Sequence, residues 1–313
     1  MGQARTPAAL TIAGSDSGGG AGIEADLKAF ARCGVHGTVA ITAITAQNTT
    51  GVSAIHAVPP KMIVAQVRAV LADIRIDAVK VGMLGTADST DAVAHALDQL
   101  PPGIPVVVDP VMVAESGARL LEDDARDALV QLILPRASVI TPNLPEARAL
   151  VGAPVAADGR DGSDGVEDAH AAAGEEVHAA AGEDERETAE VEALARALLA
   201  RGPRAVVITG GHRARAVDLF LEHGEDSHPI GIEGERHPDG AAHGSGCTHS
   251  SLLVAQLALG RTPLEAARVA RALTGEAVRD GLRDIGAGPG PVDVLGLAQA
   301  RARSEGGRGW SSD

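Results

Sequence analysis

The chain has 313 residues, 45% of them apolar, with 27 basic against 42 acidic side chains and a net charge of −15. That length suits one large α/β domain or two modest ones, and an acidic chain without a basic stripe is a poor nucleic-acid binder. Phe30, Phe220 and Trp310 are the only aromatics, so stacking of bases on aromatic platforms is nearly excluded, and a bound heteroaromatic ring has to be sandwiched by aliphatic or Met side chains.

The two cysteines, Cys33 and Cys247, can build no disulfide framework and show no zinc spacing. The opening MGQARTPAALTIAG carries too short an apolar run for a signal peptide. No run approaches the roughly 20 apolar residues of a membrane span. The expectation is a soluble, cytoplasmic protein with neither nucleic acid nor membrane as a partner.

In chain order, residues 9–13 (ALTIA) read as a buried strand, followed by a Gly-rich loop and a helix over 22–32. Residues 38–46 (TVAITAITA) read as one strand, 53–58 as a short edge strand and 61–72 as an amphipathic helix. Strands are expected at 78–81, 106–109, 138–141 and 205–209, each of the first three followed by a turn and a helical segment. This βαβ rhythm predicts a mostly parallel sheet with helices on both faces. Polar and glycine clusters follow the strand ends: Gly14-Ser15-Asp16, Gln47-Asn48, Gly82-Met83, Asp109, Asn143 and Gly210-Gly211. Ligands of such sheets bind beyond the strand C-termini, so one edge of the sheet is the expected active face.

Residues 158–190 break the rhythm. They hold 12 acidic and 2 basic residues and a duplicated HAAAGE, at 170–175 and 178–183. With few large apolar residues the segment is expected to be an exposed, disordered insertion rather than a metal site. The tail 302–313 is expected to be flexible.

The stretch HGSGCT at 243–248 reads as a glycine turn opening directly into a helix over 250–259. The first N–H groups of a helix have no internal partner, and the helix dipole adds partial positive charge there. Glycines let the backbone close around an anion. The segment is therefore built to hold a phosphate or a phosphoryl group in transfer, with one thiol, Cys247, beside it. A simple connection is the plainer alternative for such a turn. No GxxxxGK[ST] and no GxGxxG pattern is present, which excludes a P-loop enzyme and a nucleotide-binding dehydrogenase.

Eight blocks occur in order along the chain: ALTIAGSDSGGGAGIEADLKAF, TAITAQNTTGV, VKVGMLG, VVVDPVMVAESG, LILPRASVITPNLPEA, ITGGH, HGSGCTHSS and GAGPGPV. In them the chain resembles the hydroxymethylpyrimidine/phosphomethylpyrimidine kinases, the thiamine-biosynthetic branch of the ribokinase-like superfamily. The resemblance covers nearly the whole chain apart from the acidic insertion. It implies a single ribokinase-like α/β domain over 1–313 and ATP with Mg²⁺ as cofactors. It implies phosphorylation of 4-amino-5-hydroxymethyl-2-methylpyrimidine, then of its monophosphate to the diphosphate. Relatives suggest a homodimer.

Residue by residue, the resemblance implies Cys247 as general base, and a thiol at a helix N-terminus is expected to have a lowered pKa. The N–H groups of Gly244, Ser245, Gly246 and Cys247 would stabilise the moving phosphoryl charge. Gln47 is implied as the main pyrimidine contact, since its amide both donates and accepts. Asp26 would accept from the 4-amino group, Gly14 would lie against the ring and Met83 would form part of the apolar sandwich. Asp109 would help hold Mg²⁺. Asn143 and Glu146 would lie near Mg²⁺ and the ATP phosphates, although the same spacing also fits a plain capping box.

Two departures stand out. The family usually has Lys before Gly-Gly-His, where this chain has Thr209 before Gly210 and Gly211. Weaker ATP binding, or compensation by Arg213 or Arg215, is expected. Glu24 stands where Gln is common and adds negative charge without an evident purpose. The rival readings are a pyridoxal or pyridoxine kinase of the same fold, and a catalytically silent binding protein.

Overall fold

The computed structural model describes residues 5–152, 173–211, 216–224, 227–238 and 240–306. Strand β1 (Ala8–Ala13) is buried along its whole length. The loop after it leads into α1 (Gly22–Arg32), whose apolar side is closed by Ile23, Ala29 and Phe30. Then follow β2 (His36–Ile41), β3 (Ala43–Asn48), β4 (Gly51–Ala57) and α2 (Pro60–Asp73). Next come β5 (Ala78–Val81), α3 (Ala87–Leu97), β6 (Val106–Val108), α4 (Asp123–Ala128), β7 (Val139–Ile140) and α5 (Leu144–Val151). The chain closes with α6 (Ala173–Leu199), β8 (Ala205–Ile208), β9 (Val217–Glu222), β10 (Ile230–Glu233), α7 (Ser245–Ala258), α8 (Pro263–Arg279) and α9 (Leu297–Gly306).

Eight strands form one sheet in the order β10-β9-β8-β7-β6-β5-β1-β2, parallel from β2 to β8, with β9 and β10 antiparallel at one edge. Side chains alternate across a strand, and β1 divides accordingly. Leu10 and Ile12 pack with Ile63, Val67, Val93 and Leu198, while Ala9 packs with Phe30, Leu252 and Ala270. Helices thus cover both faces, as anticipated. Helix α7 is buried from Thr248 to Leu257 and runs through one of these two layers. Among the described residues no helix is long and apolar enough to cross a membrane.

Three expectations are corrected. The single strand over 38–46 is two strands. At Thr42 the N–H donates to Ala13 O (2.9 Å) and Oγ1 donates to Met83 O (2.6 Å), and the chain leaves the main sheet to pair β3 with β4 antiparallel. The run is β-prone throughout, so local sequence carries no mark of the break. Helix α7 begins at Ser245, not near 250, because Gly244 takes a left-handed conformation (φ 80°) at its N-cap. The third correction concerns the acidic insertion, which is helical from Ala173 onward. The helix is anchored beyond the insertion by buried Val191, Leu194 and Leu198, and at the insertion's last residue by Arg148 Nε donating to Glu190 Oε1 at 2.7 Å. Residues 158–172 lie outside the described residues. So do 307–313, while the start of the expected flexible tail lies in α9.

Candidate active site

A cleft of about 530 Å³ opens at the C-terminal ends of the parallel strands. Gly14 follows β1 there. A Cβ built on it would lie 3.0 Å from Met83 Sδ and 3.5 Å from Ala43 O, so the glycine lies flush against Met83, and both line the cleft. Gln47, half-buried, stands at a β-bulge in β3 and lines the same end. Its backbone is clamped by Ser17, whose Oγ accepts from Gln47 N (2.8 Å) and donates to Gln47 O (2.6 Å). Thr45 Oγ1 donates to Gln47 Oε1 at 3.3 Å.

The glycine-rich loop between β1 and α1 is organised by Asp16, which is 1% exposed. Its carboxylate accepts from the N–H groups of Gly18, Gly20 and Ala21 at 2.8, 3.0 and 2.9 Å, and from His243 Nε2 at 2.9 Å. Burial pulls the Asp16 pKa upward, but these bonds outweigh it and hold the group below its usual 3.8. Glu24 finds its purpose here: Oε2 accepts from Asp16 N at 2.7 Å and closes the loop from the first turn of α1. Neither Asp16 nor His243 was singled out from sequence, since nothing local signals a pair so far apart in the chain.

The 243–247 segment forms the turn and first helical turn anticipated, and all five residues line the cleft. A Cβ on Gly244 would fall 1.8 Å from Gly20 O, whereas one on Gly246 meets nothing within 4 Å. The Ser245 N–H donates to Ala242 O at 2.9 Å, so that donor is already engaged. The N–H groups of Gly246 and Cys247 stand in the second and third helical positions, which have no partner inside the helix.

The Cys247 thiol differs from expectation. Burial pushes it up to about 12, Asp109 and Asp26 add to the rise, and Lys80 and a bond from the Gly22 N–H oppose it without prevailing. A lowered pKa at a helix N-terminus needs solvent access and an uncommitted cation. The residue as a whole is only half-buried at the cleft wall, but its sulfur is packed round by protein atoms, and its cation is already committed to two carboxylates.

That cation is Lys80, which lies in the middle of the otherwise apolar β5 and is fully buried. Its Nζ is 2.5 Å from Asp26 Oδ1 and 3.5 Å from Asp109 Oδ2, and donates to Cys247 O at 3.3 Å. Desolvation opposes its charge, but Asp26, Cys247 and Asp109 together raise its pKa above the usual lysine value. Asp26 is 0% exposed and also accepts from Thr11 Oγ1 and Ser251 Oγ, both at 2.6 Å. It does not line the cleft, so the expected contact from Asp26 to a pyrimidine amino group is corrected: its acceptors are taken inside the core. A charged residue within AVKV was the available signal for Lys80, since a lone charge in a buried strand needs a partner.

Asp109 ends β6 at the cleft and accepts from Ser250 Oγ at 2.9 Å. Asn143 and Glu146 form a full capping box on α5, with Asn143 Oδ1 accepting from Glu146 N and Glu146 Oε2 accepting from Asn143 N, both at 2.9 Å. Both also line the cleft. Burial and then the nearby Asp109 raise the Glu146 pKa from 4.5 to about 8, against bonds from the Asn143 and Met112 backbone. Thr209 bridges to Asn143 beside Gly211 on the same wall. Arg213 and Arg215 lie outside the described residues.

The wall beyond Thr209 holds a group that sequence reasoning missed. His249 Nε2 is 3.3 Å from Asp218 Oδ2, off hydrogen-bond geometry, and Arg271 Nε is 3.7 Å from Asp218 Oδ1. Asp218 Oδ2, both His249 ring nitrogens, Arg271 Nε and the Thr274 hydroxyl are buried there without a hydrogen-bond partner among the described residues, as is the hydroxyl of neighbouring Thr248. These residues are scattered over β9, α7 and α8, which leaves no spacing to read. Among the described residues no three His, Cys, Asp or Glu side chains form a metal cluster.

A family profile described as "Phosphomethylpyrimidine kinase" matches residues 16–173 and 173–293. The hydroxymethylpyrimidine/phosphomethylpyrimidine kinase of Haemophilus influenzae is 40% identical over 91% of this chain and 95% of its own. The phosphomethylpyrimidine kinase of Clostridium difficile superposes with a TM-score of 0.65 at 34% identity, covering 85% of this chain and 96% of that one. The pyridoxal kinase of Staphylococcus aureus, solved with pyridoxal and with ADP, gives 0.73 at 28% identity over 93% and 94%. The ribokinase-like architecture expected from the sequence blocks is the one these similarities share.

Proposed function

The chain belongs to the phosphomethylpyrimidine kinase family, and on that premise we propose that it transfers the γ-phosphoryl group of ATP to 4-amino-5-hydroxymethyl-2-methylpyrimidine and then to the resulting monophosphate. One observation carries the reading: Gln47, the α7 N-terminus with Cys247, and the carboxylates Asp109 and Glu146 all line one cleft. A ring seated against Gly14 and Met83, with its edge on Gln47, presents its hydroxymethyl group towards the helix N-terminus. Phosphoryl transfer asks for positioning and charge neutralisation more than covalent help. The open N–H groups of Gly246 and Cys247, at the positive end of α7, supply it.

Burial pushes the Cys247 thiol up to about 12, and the reading does not call on a preformed thiolate base. In a loose transition state the attacking hydroxyl keeps its proton until the new P–O bond is well advanced. Cys247 then acts by position, and the hydroxyl proton passes late to an oxygen of the transferred phosphoryl group.

The residues fit Mg²⁺ and a nucleotide. Asp109 and Glu146 are two hard oxygen donors, with Asp109 close enough to raise the proton affinity of Glu146, which suits an ion held by one or two carboxylates, water and phosphate oxygens. Mg²⁺ supplies charge neutralisation on the phosphates. Buried polar atoms without partners, such as those of His249, Arg271 and Thr274, call for hydrogen bonds from a ligand, and the polar groups of a nucleotide offer them. Thr209 and Gly211 complete that wall. A homodimer accompanies the reading, with exposed Ile44 and Ile55 as apolar surface on the β3–β4 pair.

The deciding assay measures ADP release with Mg·ATP and the pyrimidine, and resolves mono- from diphosphorylated product. Absence of pyrimidine-dependent ADP sinks the proposal. The likeness to a pyridoxal-bound kinase makes pyridoxal the comparison substrate, and faster turnover on pyridoxal would exchange the two readings.

A further inference from the structure

Lys80 is a costly choice for the centre of a buried strand, because a well-packed apolar residue usually serves stability at least as well as a buried ion pair. Its surroundings indicate what the ammonium does. Its three acceptors sit on three different elements: Asp26 Oδ1 on α1 (2.5 Å), Asp109 Oδ2 after β6 (3.5 Å) and Cys247 O in the first turn of α7 (3.3 Å). Asp26 is held in turn by Thr11 and Ser251, which makes it an anchor rather than a ligand group. Ser250, also on α7, donates to the same Asp109 oxygen at 2.9 Å. One buried cation therefore joins the backbone of the anion cradle to the Asp109 carboxylate.

We propose that Lys80 is a positioning residue for phosphoryl transfer, one that fixes the placement of the α7 N-terminus relative to the Asp109 carboxylate. The inference rests on the kinase reading above. Transfer requires the cradle and the charge-neutralising carboxylate to meet one phosphoryl group together, and a misplacement of about 1 Å costs on the order of 100-fold in rate. The competing account is a plain structural pair, in which Lys80 and Asp26 neutralise each other and do nothing more. The two accounts part when both charges are removed together.

The test compares the full-length wild type with the double variant Lys80→Met/Asp26→Asn, using kcat and KM for the pyrimidine at saturating Mg·ATP and the melting temperature as a folding control. The expected result is a folded variant with kcat reduced on the order of 100-fold and pyrimidine KM within about threefold of wild type. A folded variant with kcat within about threefold of wild type overturns the proposal. So does a rise in KM as large as the fall in kcat, which would place the damage in the pyrimidine pocket. If the Met substitution does not fold, Lys80→Gln/Asp26→Asn keeps polar groups in the core and is judged by the same outcomes. A wild type inactive on the pyrimidine sinks the kinase reading itself, whereas an active wild type matched by its double variant sinks only the role of Lys80.

Discussion

Asp16 Oδ2 accepts from His243 Nε2 at 2.9 Å across 227 residues of sequence. This bond fastens the glycine-rich loop after β1 to the segment that opens α7, so the Gln47 end of the cleft and the N-terminus of α7 are built as one unit. Two glycines make the approach possible. A Cβ on Gly20 would lie 2.1 Å from His243 Cδ2, and one on Gly244 would lie 1.8 Å from Gly20 O.

The first prediction concerns acid stability. The Asp16 pKa lies below 3.8 in the folded protein, so its contribution to stability is fully present above that value and is lost as pH falls through the lowered folded value. Asp16→Asn is expected to cost about 1–3 kcal/mol at neutral pH, because a buried charge-assisted network loses its acceptor. The variant should also lack part of the wild type's loss of melting temperature below pH ~4. Parallel melting curves that stay a constant distance apart across this range would reject the account.

Gly244→Ala is expected to damage both fold and activity. The position combines φ 80° with a backbone oxygen in the space a Cβ needs. The conformation alone costs roughly 1–2 kcal/mol for a non-glycine residue, and the clash forces the two loops apart. Gly246→Ala, with open space around its Cβ, should melt close to wild type. Equal melting temperatures for the two variants would contradict the interlocking of the loops.

Cys247 should be a slow nucleophile in the ligand-free protein. With the thiol pushed up to about 12, its thiolate fraction at neutral pH falls below that of an ordinary cysteine. Alkylation by iodoacetamide, followed peptide by peptide by mass spectrometry, should be slower at Cys247 than for an unstructured cysteine peptide and should accelerate towards alkaline pH. Labelling at neutral pH as fast as the free peptide would mean that the sulfur is not desolvated.

Glu146 gives a pH dependence of opposite sign. Its folded pKa of about 8 exceeds the unfolded 4.5, so the folded state binds the extra proton and stability falls as pH rises between these values. Glu146→Gln should therefore flatten this decline, raising the melting temperature relative to wild type near pH ~8 while lowering turnover with Mg·ATP. Metal binding needs the carboxylate ionised, so Mg²⁺ should bind wild type with release of protons in the same range, detectable by calorimetry in buffers of different ionisation enthalpy. An unchanged stability profile in the variant would show that Glu146 is already ionised.

Much of the site was legible because phosphate chemistry leaves a local imprint. Gly244, Gly246 and Cys247 are adjacent in the chain, and a helix N-terminus after glycine is a feature that five residues can encode. Gly14, Asp109, Asn143 and Thr209 follow parallel strands of the main sheet, and parallel topology brings such positions to one edge, with Glu146 one turn further on in α5; Gln47 reaches the same edge from β3 in the separate antiparallel pair. Asp26 was misplaced because its helix face was not known: a quarter turn decides between the cleft and the core. The strand break at Thr42 was invisible because its two bonds go to Ala13 and Met83, outside any local window.

The order of apolar runs, turns and glycines determined the α/β class, the edge of the sheet where the cleft opens and the glycine turn that begins α7, because periodicity and backbone freedom are local properties. The tertiary structure alone decided the surroundings that raise the proton affinity of Cys247 and Glu146, the partner of Asp16 and the burial of Lys80 among Asp26, Asp109 and the Cys247 carbonyl. Those depend on desolvation and on charges brought within a few ångströms from distant parts of the chain, and a linear sequence holds no record of either until it folds.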